Sequence, residues 1–405
     1  MLLIKNSILF QEGKEIVCDV LIQDENIIKI SKQIEEKGAK VIDAAGLYLL
    51  PGIIDLNVRL KDDVLSKSHI NRLKTKAKKS GVTTFTLMPD FTPTVESDTF
   101  MGLLEHKLDD AMRLSLKGLQ TKDQNKLNNI SILLSSGATV IQENSHINGN
   151  LLRRILQYAL MQKVPFFCLC DNPDLNDNGV MHEGVTSAKL GLAGISKVSE
   201  ISEVAKVAAM AEYYGAKTLF QSLSTAASLD IVSRAKCTNP DIYAEVSIFH
   251  LILNDTACGD FNTLAKLMPP LRNEEERIKL VEALKEGKID ILTSLHAAKS
   301  FNSKDVPFND AAYGIDSLEE YLSLCYTYLV KEGIIDMQKL SALTSEKPAE
   351  ILNLDKVGKI EEGYIADLVL FNPHAISINN DKNSLLFGME IFGEVKYTLK
   401  KGEQI

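Results

Sequence analysis

Histidine and cysteine are the residues that most often bind metals or move protons, and their spacing in this sequence favours neither role. The seven histidines are scattered, with no two within four residues: His69, His106, His146, His182, His250, His296 and His374. The six cysteines contain no C-x-x-C pair: Cys18, Cys168, Cys170, Cys237, Cys258 and Cys325. Cys168 and Cys170 share one face of an apolar strand and are interpreted as reduced core thiols. His250 and His296 fall at predicted strand ends, so they are the best histidine candidates for chemistry.

From Ile53 onward, apolar runs of strand length alternate with amphipathic segments of helix length such as Val198–Tyr214 and Asn273–Glu286. This alternation is typical of β-α-β units and a parallel sheet. Seven runs are clear, and an eighth is placed near Ala265–Met268. The clear runs are Ile53–Val58, Val82–Met88, Thr139–Gln142, Val164–Cys170, Ala216–Gln221, Ile242–Val246 and Ile289–Thr293. Eight strands favour a (β/α)8 barrel; an open, doubly wound sheet is the alternative.

Both ends of the chain have β character, with short alternating runs and glycine turn signals. The sequence therefore predicts two units. Residues 1–50 and 345–405 form a composite β-sandwich, and residues 51–344 form the barrel. A helical stretch closes the barrel from Leu318 to Leu352, and the polar segment Gly118–Asn129 is predicted to be an exposed loop.

Composition and charge exclude several classes of protein. The chain has 405 residues, 45% of them hydrophobic and 24% charged, which is an ordinary globular composition. Its 54 acidic and 45 basic residues give a formal charge of −9, and there is no dense basic block, so we expect no nucleic-acid partner. Because no window reaches about 18 apolar residues, we expect no membrane span. The first residues lack the features of a signal peptide, so we expect a cytoplasmic protein.

Collinear motifs cover nearly the whole sequence. They include PGIIDLNVRL at 51–60, GVTTFTLMPDFTPTVES at 81–97, HEGVTSAKLGLAGI at 182–195, SLSTAASLDIVSRAK at 222–236, AEVSIFHLILND at 244–255, MPPLRNEEER at 268–277, PFNDAAYGIDSLEEYL at 307–322 and the tail at 345–373. These motifs resemble those of dihydroorotases in the amidohydrolase superfamily. The resemblance implies a distorted (β/α)8 TIM barrel with a small β-sandwich made from both termini, in agreement with the architecture predicted from periodicity.

The resemblance also implies zinc, which would lower the pKa of a bound water and polarise an amide carbonyl. The family holds its metals with a His-x-His pair after the first strand, a bridging carboxylate or modified lysine, later histidines and a final carboxylate. Here the His-x-His pair is replaced by Asn57 and Arg59. Asn57 offers only a neutral amide oxygen, and Arg59 is a permanent cation without a lone pair. We therefore expect no metal and no other cofactor.

The remaining ligand positions are replaced as well. Leu169 and Ser222 stand where the family has histidines, and Leu295 stands at the catalytic aspartate. Glu143 falls near the bridging position, although the alignment is less certain there. An ion pair between Arg59 and Glu143 is our hypothesis for the use of both charges.

Positions that would bind substrate are also altered. Lys61 replaces an arginine that holds a substrate carboxylate and cannot make the bidentate contact. Asp90 and Met268 replace two asparagines. His296 is retained, whereas Lys299 stands where a second histidine is expected. Together these changes indicate that dihydroorotate is not the ligand.

We therefore interpret the chain as a non-catalytic dihydroorotase-like protein. The resemblance implies aspartate carbamoyltransferase as its partner in pyrimidine biosynthesis, and barrels of this family commonly form homo-oligomers. One alternative is a cyclic-amide hydrolase with a rearranged, metal-free site that uses His296, Asp90 and Lys61. A second alternative is a regulatory module in which Arg59 and Lys61 hold an anionic metabolite.

Overall fold

The structure is a computed structural model that describes residues 1–97 and 110–405, so the predicted position of His106 lies outside the described residues. The two ends of the chain share one mixed sheet of eight strands. Its strands are β1 (Leu2–Gln11), β2 (Lys14–Gln23), β3 (Asn26–Ser31), β4 (Lys40–Asp43), β5 (Tyr48–Pro51), β16 (Leu368–Ile378), β17 (Glu390–Lys400) and β18 (Glu403–Gln404). β5 joins the two ends, since it pairs parallel with β1 and antiparallel with β16. The predicted composite β unit is confirmed; its bounds as a domain stay a prediction.

Eight parallel strands form the second large sheet, in which the spatial order follows the chain. They are β6 (Ile53–Val58), β7 (Val82–Leu87), β8 (Met112–Lys117), β9 (Ala138–Asn144), β10 (Phe166–Leu169), β13 (Thr218–Gln221), β14 (Ile242–Ser247) and β15 (Ile291–Thr293). The short strands β11 (Met181–His182) and β12 (Gly194–Ile195) pair with each other outside this sheet. The first and last strands meet where the backbone N–H of Arg59 donates to the carbonyl of His296 at 2.8 Å. The predicted TIM barrel is confirmed.

One predicted strand is wrong. Ala265–Met268 contributes no strand; a 3-10 turn occupies Thr263–Ala265, and the eighth barrel strand is β8. Lys266 explains the difference, because its ammonium is buried and donates to the carbonyls of Phe308 and Asn309 at 2.7 and 2.9 Å. This segment therefore contacts a loop and does not pair with a barrel strand. Strand β8 was missed because Arg113 and Lys117 interrupt its apolar pattern.

Helices flank the barrel strands. They are α1 (Lys67–Lys79), α2 (Ile130–Ser135), α3 (Gly149–Gln162), α4 (Pro173–Asn176), α5 (Val185–Leu190), α6 (Lys197–Tyr214), α7 (Ala226–Lys236), α8 (Ile248–Ile252), α9 (Glu274–Lys285), α10 (Phe301–Lys304), α11 (Tyr321–Cys325), α12 (Met337–Ser341) and α13 (Lys347–Ile351). Caps fix several starts, as where the Thr225 hydroxyl accepts from the Ser228 N–H. The predicted stretch Leu318–Leu352 is helical but divided, with π-helical turns at Tyr326–Val330 and Ala342–Glu346.

The barrel interior is apolar near the strand beginnings and polar near the strand ends. One apolar cluster takes residues from six barrel strands, including Phe167, Leu219 and Tyr243, and residues near α13 complete it. Cys168 and Cys170 are free, buried thiols, as predicted. Within residues 1–97 and 110–405, we find no helix with the length and apolar character needed to cross a membrane. The polar end of the barrel is where a site can form.

Candidate functional site

A pocket of about 260 Å³ opens at the carboxyl ends of the barrel strands. Six residues singled out from the sequence line it: Arg59, Asp90, Leu169, Met268, Leu295 and Lys299. Asp63 and Tyr313 complete the polar part of its wall. The structure therefore brings together most of the positions at which the sequence predicted a former reaction site. Lys61 lies outside this lining, in the 3-10 turn Lys61–Asp63.

Two hydrogen bonds fix the guanidinium of Arg59 in the pocket. Its Nη1 donates to Asn57 Oδ1 at 2.6 Å, and its Nη2 donates to Asp90 Oδ2 at 3.3 Å. Only 16% of the side chain is exposed. The predicted Arg59–Glu143 ion pair is wrong, because Asp90 follows the neighbouring strand β7, whereas Glu143 lies on β9, three strands away from β6. Burial raises the pKa of Asp90. The positive charges of Arg59 and Lys117 lower it by more, so the pKa of Asp90 lies below its usual value.

Lys117 joins the two carboxylates, and the sequence analysis missed it. Its Nζ lies 2.8 Å from Asp90 Oδ1 and 3.8 Å from Glu143 Oε1. Glu143 also accepts hydrogen bonds from the backbone N–H groups of Leu119 and Asn144, at 2.9 and 3.0 Å. Burial raises the pKa of Glu143, and the Lys117 charge opposes that rise. Glu143 thus holds the start of the loop after β8, and this part of the predicted exposed loop is buried.

Asn57 connects Arg59 to the far side of the barrel. Its Nδ2 donates to Ser222 Oγ at 2.8 Å and to Glu245 Oε1 at 2.9 Å, while its Oδ1 accepts from Arg59. Both donor positions of Asn57 Nδ2 are in use, and Oδ1 faces the Arg59 guanidinium, so a cation bound at Oδ1 would lie beside a fixed positive charge.

Glu245 is a second residue that the sequence analysis missed. It is fully buried, and its Oε1 also accepts from the Ser222 N–H at 3.1 Å. Burial, with a smaller contribution from Asp55, raises its pKa to about 7, although the hydrogen bond from Asn57 lowers it. A signal was present, since Glu245 is a lone acid within the otherwise apolar strand β14. We call Asn57, Arg59, Asp90, Lys117, Glu143, Ser222 and Glu245 the Arg59 cluster.

The backbone at two of the replaced positions is unusual. Ser222 has φ of 51° and Leu295 has φ of 52°, both in the left-handed region that non-glycine residues rarely adopt. A branched residue such as Leu295 gains nothing locally from that conformation, and the surrounding strand ends must hold it there. The main chain therefore turns sharply at both points where a side chain enters the mouth of the barrel.

His296 is retained in sequence but does not reach the pocket. It is 2% exposed, and its Nδ1 accepts from the Ser317 N–H at 3.2 Å. Burial lowers its pKa to about 4, so the ring is neutral at pH 7. Lys299, beside it in sequence, forms an ion pair with Asp63. His296 therefore positions the segment before Ser317, and Lys299 closes one wall of the pocket.

The residues at the barrel mouth do not fit a zinc ion. Zinc needs imidazole, thiolate or carboxylate donors, whereas the replaced ligand positions offer an amide, a guanidinium, a hydroxyl and leucine side chains. The nearby carboxylate of Asp90 is already paired with Arg59 and Lys117. Among the residues that the structure describes, no group of three or more His, Cys, Asp or Glu residues is arranged to hold a metal. The pocket's charges also compensate one another, since Arg59 pairs with Asp90 and Lys299 with Asp63. The predicted use of Arg59 and Lys61 around one anion does not match this arrangement.

Comparisons with known proteins support the barrel fold. The model of the amidohydrolase family matches residues 9–405. The chain belongs to the amidohydrolase family. A protein named dihydroorotase from Ruminiclostridium cellulolyticum is 32% identical over 423 residues, which cover 100% of this chain and 98% of that protein. A dihydroorotase from Clostridioides difficile is also 32% identical, over 100% of this chain and 99% of its own length.

Solved structures resemble this amidohydrolase over its full length. The L-hydantoinase (dihydropyrimidinase) of Arthrobacter aurescens has a TM-score of 0.88 at 19% identity and covers 100% of this chain and 95% of its own. The dihydropyrimidinase of Brevibacillus agri has a TM-score of 0.84 at 21% identity, with 100% and 94% covered. At these identities the likeness shows the fold alone.

A second buried polar network of this amidohydrolase joins three of the motifs that carry the resemblance. Arg272, 3% exposed, donates through Nε to Ser224 Oγ and through Nη1 to the Ile195 carbonyl, both at 3.0 Å. Glu200 accepts from the N–H groups of Ser224 and Thr225 at 3.0 and 3.1 Å and from both hydroxyls. We call Ile195, Glu200, Ser224, Thr225 and Arg272 the Arg272 cluster.

Proposed function

We propose that this protein is a non-catalytic, dihydroorotase-like amidohydrolase that supports the assembly of aspartate carbamoyltransferase. The observation that carries the first half of the proposal is the guanidinium of Arg59, held between Asn57 Oδ1 and Asp90 Oδ2. A divalent cation at ligand distance from a fixed guanidinium is repelled, and the guanidinium has no lone pair to offer it. Without a metal, the water and the amide carbonyl lose their activating group.

The partner half of the proposal follows from the resemblance to dihydroorotases and from the residues that remain in place. The retained motifs supply most of the Arg272 cluster, which ties loops together and has no member among the residues lining the pocket. A chain that keeps its scaffold while its reaction site is filled by ion pairs is suited to assembly. We expect this protein to have kept a role in assembly after it lost catalytic activity.

A cyclic-amide hydrolase is the second candidate function. Relatives named dihydroorotase match this chain at 32% identity over nearly their whole length, and the carboxylate of Asp90, the kind of group that can act as a general base, lines the pocket. In this reading the hydrolysis is metal-free and Asp90, which lines the pocket, takes the proton from water. Of the three residues predicted for such a metal-free site, only Asp90 lines the pocket, since His296 is buried and Lys61 lies outside the lining.

Metal content and turnover separate the two candidates. The purified protein is analysed for zinc by mass spectrometry and assayed for dihydroorotate hydrolysis, with the Clostridioides difficile relative prepared in parallel as the control. We expect less than about a tenth of an equivalent of zinc and no turnover above background. Stoichiometric zinc with turnover abolished by a chelator contradicts the proposal. Turnover that persists with chelator and disappears in Asp90→Asn establishes the second candidate.

The partner half has its own experiment. Affinity capture of the protein from lysate of its own organism should bring down aspartate carbamoyltransferase. Deleting the gene should weaken the oligomer of that enzyme, as measured by its size-exclusion profile. An unchanged oligomer in the deletion strain refutes the partner role and leaves the result on metal and turnover standing.

A further inference from the structure

The pocket at the mouth of the barrel carries two ion pairs on different segments of its wall. Arg59 and Asp90 follow β6 and β7. Asp63 lies in the 3-10 turn after β6, and its partner Lys299 follows β15. These four are the charged side chains among the described residues that line the pocket, so their formal charges sum to zero. The pocket is therefore neutral as a whole and charged at two places.

Both ion pairs keep unused hydrogen-bonding capacity. Among the described residues, Arg59 donates only to Asn57 and Asp90, which leaves most of its five N–H groups available. The side chain of Asp63 is 42% exposed and its Oδ2 pairs with Lys299, whereas its Oδ1 has no partner in the described part of the chain. The pocket can thus donate at Arg59 and accept at Asp63 without the loss of an existing bond.

The rest of the wall is mostly apolar and the space is small. Tyr313 contributes its ring, which lies 4.6 Å from the Lys266 ammonium, and its hydroxyl makes only a long bond to the Gly179 carbonyl, at 3.4 Å. A cavity of about 260 Å³ lies below the usual range of ligand pockets, so its ligand must be a small molecule with a short apolar part. The apolar lining residues are Leu169, Met268, Leu295 and Ala297.

The turn that carries Asp63 is fixed from three directions. The Asp62 N–H donates to the Ala298 carbonyl at 3.0 Å, and the Thr92 N–H donates to the Asp63 carbonyl at 2.8 Å. The Ser300 N–H donates to Asp62 Oδ1 at 2.7 Å. Because these bonds already hold the turn, a ligand that meets Asp63 does not have to order this segment, and less of its binding free energy is lost.

We propose that this pocket binds a small zwitterion of the amino acid class, with its carboxylate on Arg59 and its ammonium group on Asp63. A ligand with a single charge would add net charge to a partly buried, neutral pocket, whereas a zwitterion adds none and meets an opposite charge at each end. The planar guanidinium can hold the carboxylate with two N–H groups. This inference rests on the proposed non-catalytic function, since the ligand is bound and not converted.

Matched sets of small ligands test the charge requirement. Each set has a zwitterion and the two ions that lack one of its charges: glycine with acetate and methylamine, β-alanine with propionate and ethylamine, and 4-aminobutyrate with butyrate and propylamine. At about 10 mM, at least one zwitterion should raise the melting temperature. Calorimetric titration should give it a Kd at least about tenfold below those of its matched ions. A screen in which no zwitterion stabilises the protein, or in which a matched ion binds equally well, overturns the proposal.

Two pocket variants test which residue meets which end of the ligand. Asp63→Asn should weaken the zwitterion at least about tenfold and leave the matched anion binding at least as tightly as the zwitterion. Arg59→Met should have the reverse effect and favour the matched amine. The control is Asp123→Asn, because Asp123 is 37% exposed in a pair with Lys126 outside the pocket. Equal affinities in Asp63→Asn and Asp123→Asn overturn the proposal.

Zinc content and dihydroorotate turnover are measured on the same preparation. Stoichiometric zinc with turnover removes the proposed function and this inference with it. Absence of zwitterion binding in a zinc-free, inactive protein overturns the ligand alone.

Discussion

The Arg272 cluster and the Arg59 cluster are both built around an arginine and a carboxylate, yet they differ in what surrounds the pair. Arg272 and Glu200 are each 3% exposed, and their remaining polar groups bond to backbone and hydroxyl groups of other segments. Arg59 is 16% and Asp90 33% exposed, and both face an open pocket. The first arginine holds loops together, whereas the second lies in the wall of the pocket at the mouth of the barrel. Motifs that carry the resemblance supply both arginines, but only Arg59 lines the pocket.

Arg272→Met should give the largest effect in this comparison. It leaves Glu200 buried beside two hydroxyls with no compensating cation, so the free energy of unfolding should fall by about 3–5 kcal/mol. Urea denaturation measures this. The control is Arg277→Met, because Arg277 pairs with Glu274 on the exposed side of α9 and should contribute less than about 1 kcal/mol. Equal losses for the two variants would mean that the Arg272 cluster is not a framework element.

Glu245→Gln should change how stability depends on pH. The folded-state pKa of Glu245 is about 7, above the ordinary 4.5, so the folded state binds the proton more tightly than the unfolded state. The wild type therefore loses stability from Glu245 as pH rises from about 4.5 to about 7, by on the order of 3 kcal/mol in total. Glutamine keeps an acceptor for Asn57 but has no proton to lose.

The measurement is the difference in the free energy of unfolding between Glu245→Gln and wild type, at pH 4.5 and at pH 8. The variant should gain relative to wild type as pH rises. Buried histidines such as His296, whose pKa is lowered to about 4, act in the opposite direction, but they are present in both proteins and cancel. A difference that does not vary with pH would show that Glu245 ionises normally.

Arg59→Met should lower the free energy of unfolding by about 2 kcal/mol, less than Arg272→Met, because water reaches part of the site. The variant leaves Asn57 Oδ1 without its donor and Asp90 with Lys117 alone. The double variant Arg59→Met, Asp90→Asn removes both charges and should recover part of the loss. If the double variant is as unstable as the sum of two single losses, the pair is not coupled.

Asp63→Asn should have the smallest effect. Asp63 pairs with Lys299 in the pocket wall, but 42% of its side chain is exposed, so the loss should stay below about 1 kcal/mol. A thermal melt beside the wild type is sufficient. A loss of more than about 2 kcal/mol would place the pocket wall, like the Arg272 cluster, among the elements that hold the fold together.

Much of the fold could be predicted from the sequence because apolar runs mark buried parallel strands. The strand Ile53–Val58 has the predicted bounds, and the predicted Val198–Tyr214 begins only one residue earlier in the structure. Strand β8 could not be found in this way, since Arg113 and Lys117 break its apolar run. The sequence analysis therefore also missed Lys117 and the link that it makes between Asp90 and Glu143.

The replaced positions were located in the sequence by motif, but their partners were not. Motifs place residues at strand ends without saying which neighbour a long side chain reaches. Arg59 was assigned to Glu143, although the carboxylate after the adjacent strand is nearer in a barrel whose strand order follows the chain. Glu245 was visible as a single acid in an apolar strand, and only the packing around it raises its pKa to about 7.

The backbone is left-handed at Ser222 and Leu295, two positions at which the sequence differs from the dihydroorotase motifs. Left-handed backbone is unfavourable by about 1–2 kcal/mol for an ordinary residue, and asparagine and aspartate tolerate it better than leucine. The main chain at both points thus keeps a shape that its present side chains do not require. Aspartate, asparagine and histidine are enriched in this conformation, so such residues could replace Ser222 and Leu295 without a change in the path of the main chain.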